Sequence, residues 1–177
     1  NPKNIDLYQI AYKYFGGVDL MSIEGVTHAT VLSIMSEIGP PGFEKFETGK
    51  QFASWLRLAP NNKVSGGRIL SSKIPKGSNR LKIALRHAAN VIGNLKNASL
   101  HNFFIRIAIR KGRTAAITAT ARKLAIIIWN MVVNRHEYKP LNQYEFLDNK
   151  RKRIVREMQK KIAKFDIQTN EFIFSIT

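Results

Sequence analysis

The sequence has 177 residues, 44% of them hydrophobic, no cysteine and a formal charge of +17. It is long enough for one well-buried core and excludes disulfides and thiolate metal sites. The charge is uneven: residues 1–50 carry 4 Lys+Arg against 6 Asp+Glu, residues 51–100 carry 9 against none, and no carboxylate lies between Glu47 and Glu137. A solvated face normally mixes signs, so this run favours a polyanionic partner, nucleic acid first.

In chain order, "IDLYQIAYKYF" (5–15) predicts a short helix ended by Gly16–Gly17, where glycine can take a left-handed cap conformation. "LMSIEGVTHATVLSIMSEIGPPG" places Gly25 between two apolar stretches, spaces Ala29, Leu32 and Met35 as one helical face, and stops at Gly39-Pro40-Pro41. It reads as helix, tight turn, helix. "ETGKQFASWLRLAP" (47–60) follows as a helix with Thr48 as N-cap, Phe52, Trp55 and Leu56 on one face, and Pro60 at its end. The stretch "NNKVSGGRILSSKIPKGSNR" (61–80) has no helical period and reads as a long basic loop with room for two short strands around Gly66–Gly67. Ser78 is placed as the cap of a helix through "NRLKIALRHAANVIGNL", Ser99 as the cap of "LHNFFIRIAIRK" before Gly112, and Thr114 as the cap of a long helix to about Asn134. Its apolar part, "LAIIIWNMVVN" (124–134), falls short of the ~20 residues of a membrane span and follows Arg122 and Lys123, so it reads as a buried helix.

After Tyr138-Lys139-Pro140, a helix over about 143–164 sets Val155, Met158, Ile162 and Phe165 at 3-4-3 spacing beneath a basic face, available to the domain or to a partner helix. The tail "EFIFSIT" alternates like a strand. The expected fold is all-α: an N-terminal helix and linker (1–17), a compact domain (18–138) with a helix-hairpin-helix-like segment at 20–39, and a basic C-terminal extension (139–177). Opening on Asn1 rather than methionine, the sequence reads as a module of a longer protein.

Several constellations carry chemistry. "SIEGVTHATVLSIMSEIG" is similar to a helix-hairpin-helix, which offers amides at the start of its second helix to a DNA phosphate. Thr27 stands where the second hairpin glycine is usual, Glu24 and Glu37 add local acidity, and two core helices on a tight turn are the plainer alternative. Arg80, Arg86, Arg106, Arg110, Arg113, Arg122 and Lys123 recur along the basic helices, with Lys63, Arg68, Lys73 and Lys76 in the loop. If those helices pack through Leu81, Leu85, Phe103, Ile107 and Ile126, the cations share an outer surface suited to phosphates. His28, His87, His101 and His136 lack metal-site spacing and no paired-carboxylate motif occurs, so no metal ligand is assigned. Ser65 is either a turn residue, as serine before glycine ordinarily is, or a nucleophile. Lys63, Arg68 and the adjacent glycines supply the flanking cations and close backbone approach that attack on a phosphodiester needs.

Three blocks in order, "GVTHATVLSIMSEIG", "FETGKQFASWLRLAPNNKVSGGRILSSKIPKGSNRLKIALRHAA" and "GRTAAITATARKLAIIIWNMV", resemble the C-terminal transposase domain of the insertion sequence 110 family, bacterial mobile-element recombinases related to the Piv DNA invertases. The resemblance implies a cytoplasmic DNA recombinase in which the serine matching Ser65 attacks a DNA phosphate and forms a transient phosphoserine link. It also implies a separate N-terminal RuvC-like domain whose acidic residues bind Mg²⁺, a synapse built from several copies, and in some members a structured guide RNA. None of those acidic blocks occurs in this sequence, so it resembles the serine-bearing half of a composite site, with no cofactor of its own, no membrane partner, and inactive alone. Lys63, Arg68, Lys73, Lys76, Arg80, Arg86, Arg113, Arg122 and Lys123 are the candidate DNA contacts. The sequence departs from the family at Arg57 in "WLRLAP", where a glycine is usual, and in its C-terminal tail. Two other readings stand beside this one: a non-catalytic helix-hairpin-helix DNA-binding module, and an RNA-binding basic protein.

Overall fold

The computed structural model describes residues 6–77, 79–140 and 143–165, which divide after Pro140 into two compact units. Helices dominate, as expected, and one two-stranded hairpin is the sole sheet among the described residues. The elements are α1 (Leu7–Tyr14), a 3₁₀ turn (Leu20–Ser22), α2 (His28–Glu37), α3 (Gly39–Phe43), α4 (Gly49–Trp55), β1 (Lys63–Ser65), β2 (Arg68–Ser71), α5 (Arg80–Asn94), α6 (His101–Lys111), α7 (Arg113–Asn134) and α8 (Gln143–Phe165).

The first unit is built around α7, which packs against α3, α4, α5 and α6. Ala121, Leu124, Ala125, Ile128 and Met131 of α7 are buried with Leu81, Leu85, Ala88, Ala89 and Ile92 of α5 and with Phe43, Phe52, Ala53 and Leu56 from around α4. By length and composition α7 is apolar enough to cross a membrane, and here its apolar side lies at the centre of this core, as the reading of a buried helix required. The Trp129 indole N–H donates to the Phe43 carbonyl at 3.2 Å, giving a buried ring its partner. α5 and α7 thus form the frame from which the other elements hang.

Several expectations need correction. The buried side of α2 is Thr30, Val31 and Ile34, while Leu32 is exposed; "ATVLSIM" is apolar on nearly every side, so spacing alone did not fix the face. The Gly39-Pro40-Pro41 stop ends α2 but opens α3, with proline in the first turn, where a missing N–H is tolerated. α4 ends at Trp55, before Pro60. Ser78 lies outside the described residues, and the side chain of Asn79 caps α5 by accepting from the Lys82 amide at 2.6 Å. Neither Ser99 nor Thr114 caps a helix: α6 follows Leu100 with no side-chain cap, and α7 follows Gly112, whose φ of 84° joins the two helices. Phe104 is the buried ring of α6, whereas Phe103, Ile107 and Ile126 are half-buried.

Other expectations hold. Gly16 and Gly17 take φ of 64° and 87° after α1, and the Thr48 hydroxyl accepts from the Gln51 amide at 3.2 Å to cap α4. In the second unit, α8 leaves Val155, Met158 and Ile162 exposed along one side, with an exposed Arg153–Glu157 ion pair at 3.5 Å on the same helix. The strand-like tail "EFIFSIT" and Ile5 lie outside the described residues.

Gly25, in the turn before α2, combines a φ of 82° with close approach to α5: a Cβ there would lie 2.8 Å from the Ala88 carbonyl oxygen and 2.9 Å from Ile92 Cγ1. The carbonyl belongs to helical backbone and cannot step aside. Gly25→Ala is expected to destabilise the chain by about 2–4 kcal/mol, combining left-handed strain with overpacking, and thermal or urea unfolding reads this directly.

Candidate functional site

Strands β1 and β2 pair antiparallel as Ser65↔Arg68, Val64↔Ile69 and Lys63↔Ser71. Gly66 (φ 53°) and Gly67 (φ 74°) form the connection between them; two positive φ angles give the type I′ turn whose twist matches a hairpin, and glycine adopts both without strain. A Cβ on either glycine would meet nothing within 4 Å, so the tip stands in open space. The two short strands expected around the glycine pair are therefore present. The step in register leaves Leu70 as an extra residue in β2, a bulge, with 70% of its surface exposed. Because strand side chains alternate, Lys63, Ser65 and Arg68 fall on one face of the hairpin. All three are exposed.

Serine hydroxyls that shape turns bond to nearby backbone groups. The Ser71 hydroxyl does so, accepting from the Lys73 amide at 3.4 Å. None of the side-chain hydrogen bonds among the described residues involves Ser65, so its hydroxyl has no turn-forming role there.

At the base of the hairpin, the Asn61 amide donates to the Lys73 carbonyl at 3.0 Å. Arg57, beyond α4, has φ of 55°, a left-handed conformation costing a non-glycine residue about 1–2 kcal/mol. Its guanidinium donates to the Lys76 carbonyl. The Lys82 ammonium donates to the Gly77 carbonyl at 2.8 Å. Lys82 is only 5% exposed, and burial first, then the Arg86 and Arg57 charges, push its pKa down. Sequence reasoning assigned Lys82 no role, although it stands in helical register with Leu85 and Ala89, where a cation needs a reason.

The predicted cations separate into two groups. Lys63, Arg68, Lys73, Lys76 and Arg80 are exposed on the hairpin and its return into α5, with Arg86 half-buried one turn beyond Lys82. Arg113 instead bonds the side-chain oxygens of Asn90 (2.7 Å) and Asn94 (2.8 Å) and lies over the Phe104 ring. Lys123 sits over Phe103 at 4.7 Å, its pKa pushed down by burial and by Arg106. Arg122 is half-buried, and its Nε has no hydrogen-bond partner among the described residues. At 1.5 Å per residue, Arg80 and Asn94 are about 21 Å apart along α5, so Arg113 marks the end opposite the hairpin.

The start of α2 bears on the helix-hairpin-helix expectation. Thr27 occupies the N-cap without a side-chain capping bond, and a groove beside it is lined by Thr27, Thr30 and Ser33 with Arg80 and His87 of α5. Glu24 is not among the residues lining this groove. Its carboxylate accepts from the Ser99 amide (3.3 Å), the Ser99 hydroxyl (3.2 Å) and the Tyr138 hydroxyl (2.6 Å). That network fixes the direction of the Glu24 carboxylate.

Among the described residues no three His, Asp or Glu side chains gather where a metal ion could be held.

Comparison with known proteins points one way. Residues 19–104, from the 3₁₀ turn through the hairpin and α5 into α6, match the Transposase IS116/IS110/IS902 family. The chain is 26% identical over 125 residues to a probable family 20 transposase of Pseudomonas aeruginosa, an alignment covering 68% of this chain and 36% of that protein. It is 27% identical over 124 residues to the transposase for insertion sequence element IS1111A of Coxiella burnetii, covering 68% of this chain and 34% of the relative. It spans about a third of the length of these curated relatives.

Tyr138 ties the network at Glu24 to the end of the unit, and burial, followed by its hydrogen bond to Glu24, pushes its pKa up to about 12 from 10.0. Below pH 10 folded and unfolded chains both keep the phenol proton; between 10 and about 12 only the folded chain does, so this contribution to stability falls as pH rises. Urea unfolding across that window is expected to show a steeper alkaline loss in the native chain than in Tyr138→Phe.

Proposed function

Residues 19–104 of this chain belong to the IS116/IS110/IS902 transposase family, and on that premise we propose that the chain is the DNA-binding, serine-bearing domain of a transposase that mobilises an insertion sequence, with Ser65 as nucleophile. The observation that carries this reading is the exposed Ser65 on a glycine-tipped hairpin, beside Lys63 and Arg68 and with a hydroxyl unused by the turn.

In this reading the Ser65 Oγ attacks a backbone phosphorus. The new O–P bond replaces the bond to one deoxyribose oxygen, which departs with the electron pair and takes up a proton. The phosphodiester is conserved as a serine ester, and a deoxyribose hydroxyl of another strand reverses the attack to rejoin DNA. Lys63 and Arg68 neutralise the charge that gathers on the equatorial oxygens. Lys73, Lys76, Arg80 and Arg86 continue the phosphate contacts along the hairpin's return, Arg113 extends them at the far end of α5, and Arg122 and Lys123 add to them on α7. The proton acceptor and the metal-binding carboxylates belong to a separate acidic domain of the whole protein, which acts as a homo-oligomer in the bacterial cytoplasm.

A second reading has one observation in its favour: the uncapped start of α2 beside Arg80 and His87 suits a helix-hairpin-helix that grips phosphate without chemistry. A covalent protein–DNA adduct separates the two.

Two outcomes are expected. In gel-shift titrations the isolated chain binds duplex DNA with little sequence preference, the log–log salt slope steepening by about 0.9 per phosphate neutralised; a slope near zero contradicts the DNA-binding surface. In the full-length protein, Ser65→Ala abolishes adduct formation and recombination while changing stability by no more than about 0.5 kcal/mol. Ser71→Ala and Ser72→Ala retain activity. Adduct trapping followed by peptide mapping identifies the linked residue, and a link elsewhere overturns the assignment.

A further inference from the structure

The hairpin has little apolar packing to hold it. Neither strand packs substantially on a helix, and Val64 and Leu70, which would supply an apolar anchor, are 60% and 70% exposed. Among the described residues, the hydrogen bonds that tie the segment from Asn61 to Gly77 to the helical body are those of Arg57 to the Lys76 carbonyl and Lys82 to the Gly77 carbonyl. Two cations from opposite sides of the excursion, one just beyond α4 and one inside α5, thus hold consecutive carbonyls.

We propose that Arg57 and Lys82 are positioning residues that lock the serine hairpin onto the domain, an inference that rests on the reading of Ser65 as nucleophile. Arg57 keeps a left-handed backbone, and that conformation accompanies the guanidinium's contact with Lys76. Gly77 completes the clasp: its φ is 105°, and a Cβ there would overlap Arg57 Nη1, so only glycine leaves the guanidinium its seat. Lys82 brings a buried charge to the same point, with Asn79 capping the helix one turn before it. No carboxylate competes for either cation in this part of the sequence. Attack on phosphorus requires the hydroxyl in line with the leaving oxygen, and displacement of a reacting group by about 1 Å can lower a rate about a hundredfold. A hairpin without packing needs such a clasp to hold that geometry.

The test uses Gly77→Ala in the full-length protein, because it unseats Arg57 while keeping every charge. Adduct formation is expected to slow by about tenfold or more, with DNA affinity unchanged. Arg57→Gly, which relieves the backbone, should fold and show the same loss, and Arg57→Lys should restore part of the rate because an ammonium can still donate to one carbonyl. In this chain, hydrogen–deuterium exchange at the Asn61 amide should accelerate in Gly77→Ala and Arg57→Gly. Normal adduct rates in both variants, with Ser65→Ala inactive, overturn the positioning role alone, as does a rate loss matched by an equal loss of affinity. Full activity of Ser65→Ala overturns the nucleophile reading and this inference with it.

Discussion

Between Glu47 and Glu137 a cation has no carboxylate within its own segment, and the organisation of the first unit follows from where those cations go instead. Arg57 and Lys82 take backbone carbonyls, Arg113 takes two asparagine amides and an aromatic face, and Lys123 takes the face of Phe103. These acceptors orient a positive side chain without neutralising it. The fold therefore fixes the geometry of its charges while leaving their field intact, the condition under which a polyanion gains most from binding. Glu24, in the turn that packs on α5, is hydrogen-bonded to Ser99 and Tyr138.

An uncompensated field also acts on stability. Burial first, and then like charges, Arg86 and Arg57 beside Lys82 and Arg106 beside Lys123, hold the two lysine pKa values down, so the repulsion adds to the cost of burying them. Any anion that binds the folded chain and not the unfolded one relieves that repulsion and adds its binding free energy to the stability of the fold. Charge, stability and partner are linked through the same side chains.

Much of the fold was legible where a residue has few alternatives. The positive φ angles at Gly16–Gly17 and Gly66–Gly67 and the Thr48 cap followed from local chemistry alone. What escaped was decided at a distance: Ser99 has the sequence of a cap, but a carboxylate 75 residues away takes its hydroxyl and amide. Phe103 and Phe104 are adjacent aromatics of equal hydrophobicity, and only the seat against Gly93 of α5 selects Phe104 for burial. At the candidate site, the serine and its flanking cations could be read from "NNKVSGG", but the clasp could not. Arg57 was visible only as a departure and Lys82 only as a lysine in core register, and their joint function exists once the chain has returned through Gly77.

α5 is the element through which these parts communicate. Its first turn receives the hairpin through Lys82, its middle accepts the turn at Gly25 against Ala88 and Ile92, and its last turn holds Arg113 through Asn90 and Asn94. Helical backbone is stiff over this length, so the spacing between Arg80, where the hairpin's return enters α5, and Asn94, which holds Arg113, is set by the rise of one helix, about 21 Å. At 3.4 Å per nucleotide step that equals about six steps of one DNA strand. A duplex touching both groups would meet them at a fixed interval, and Ser65 would be held at one end of that interval only as firmly as the base of its hairpin is held.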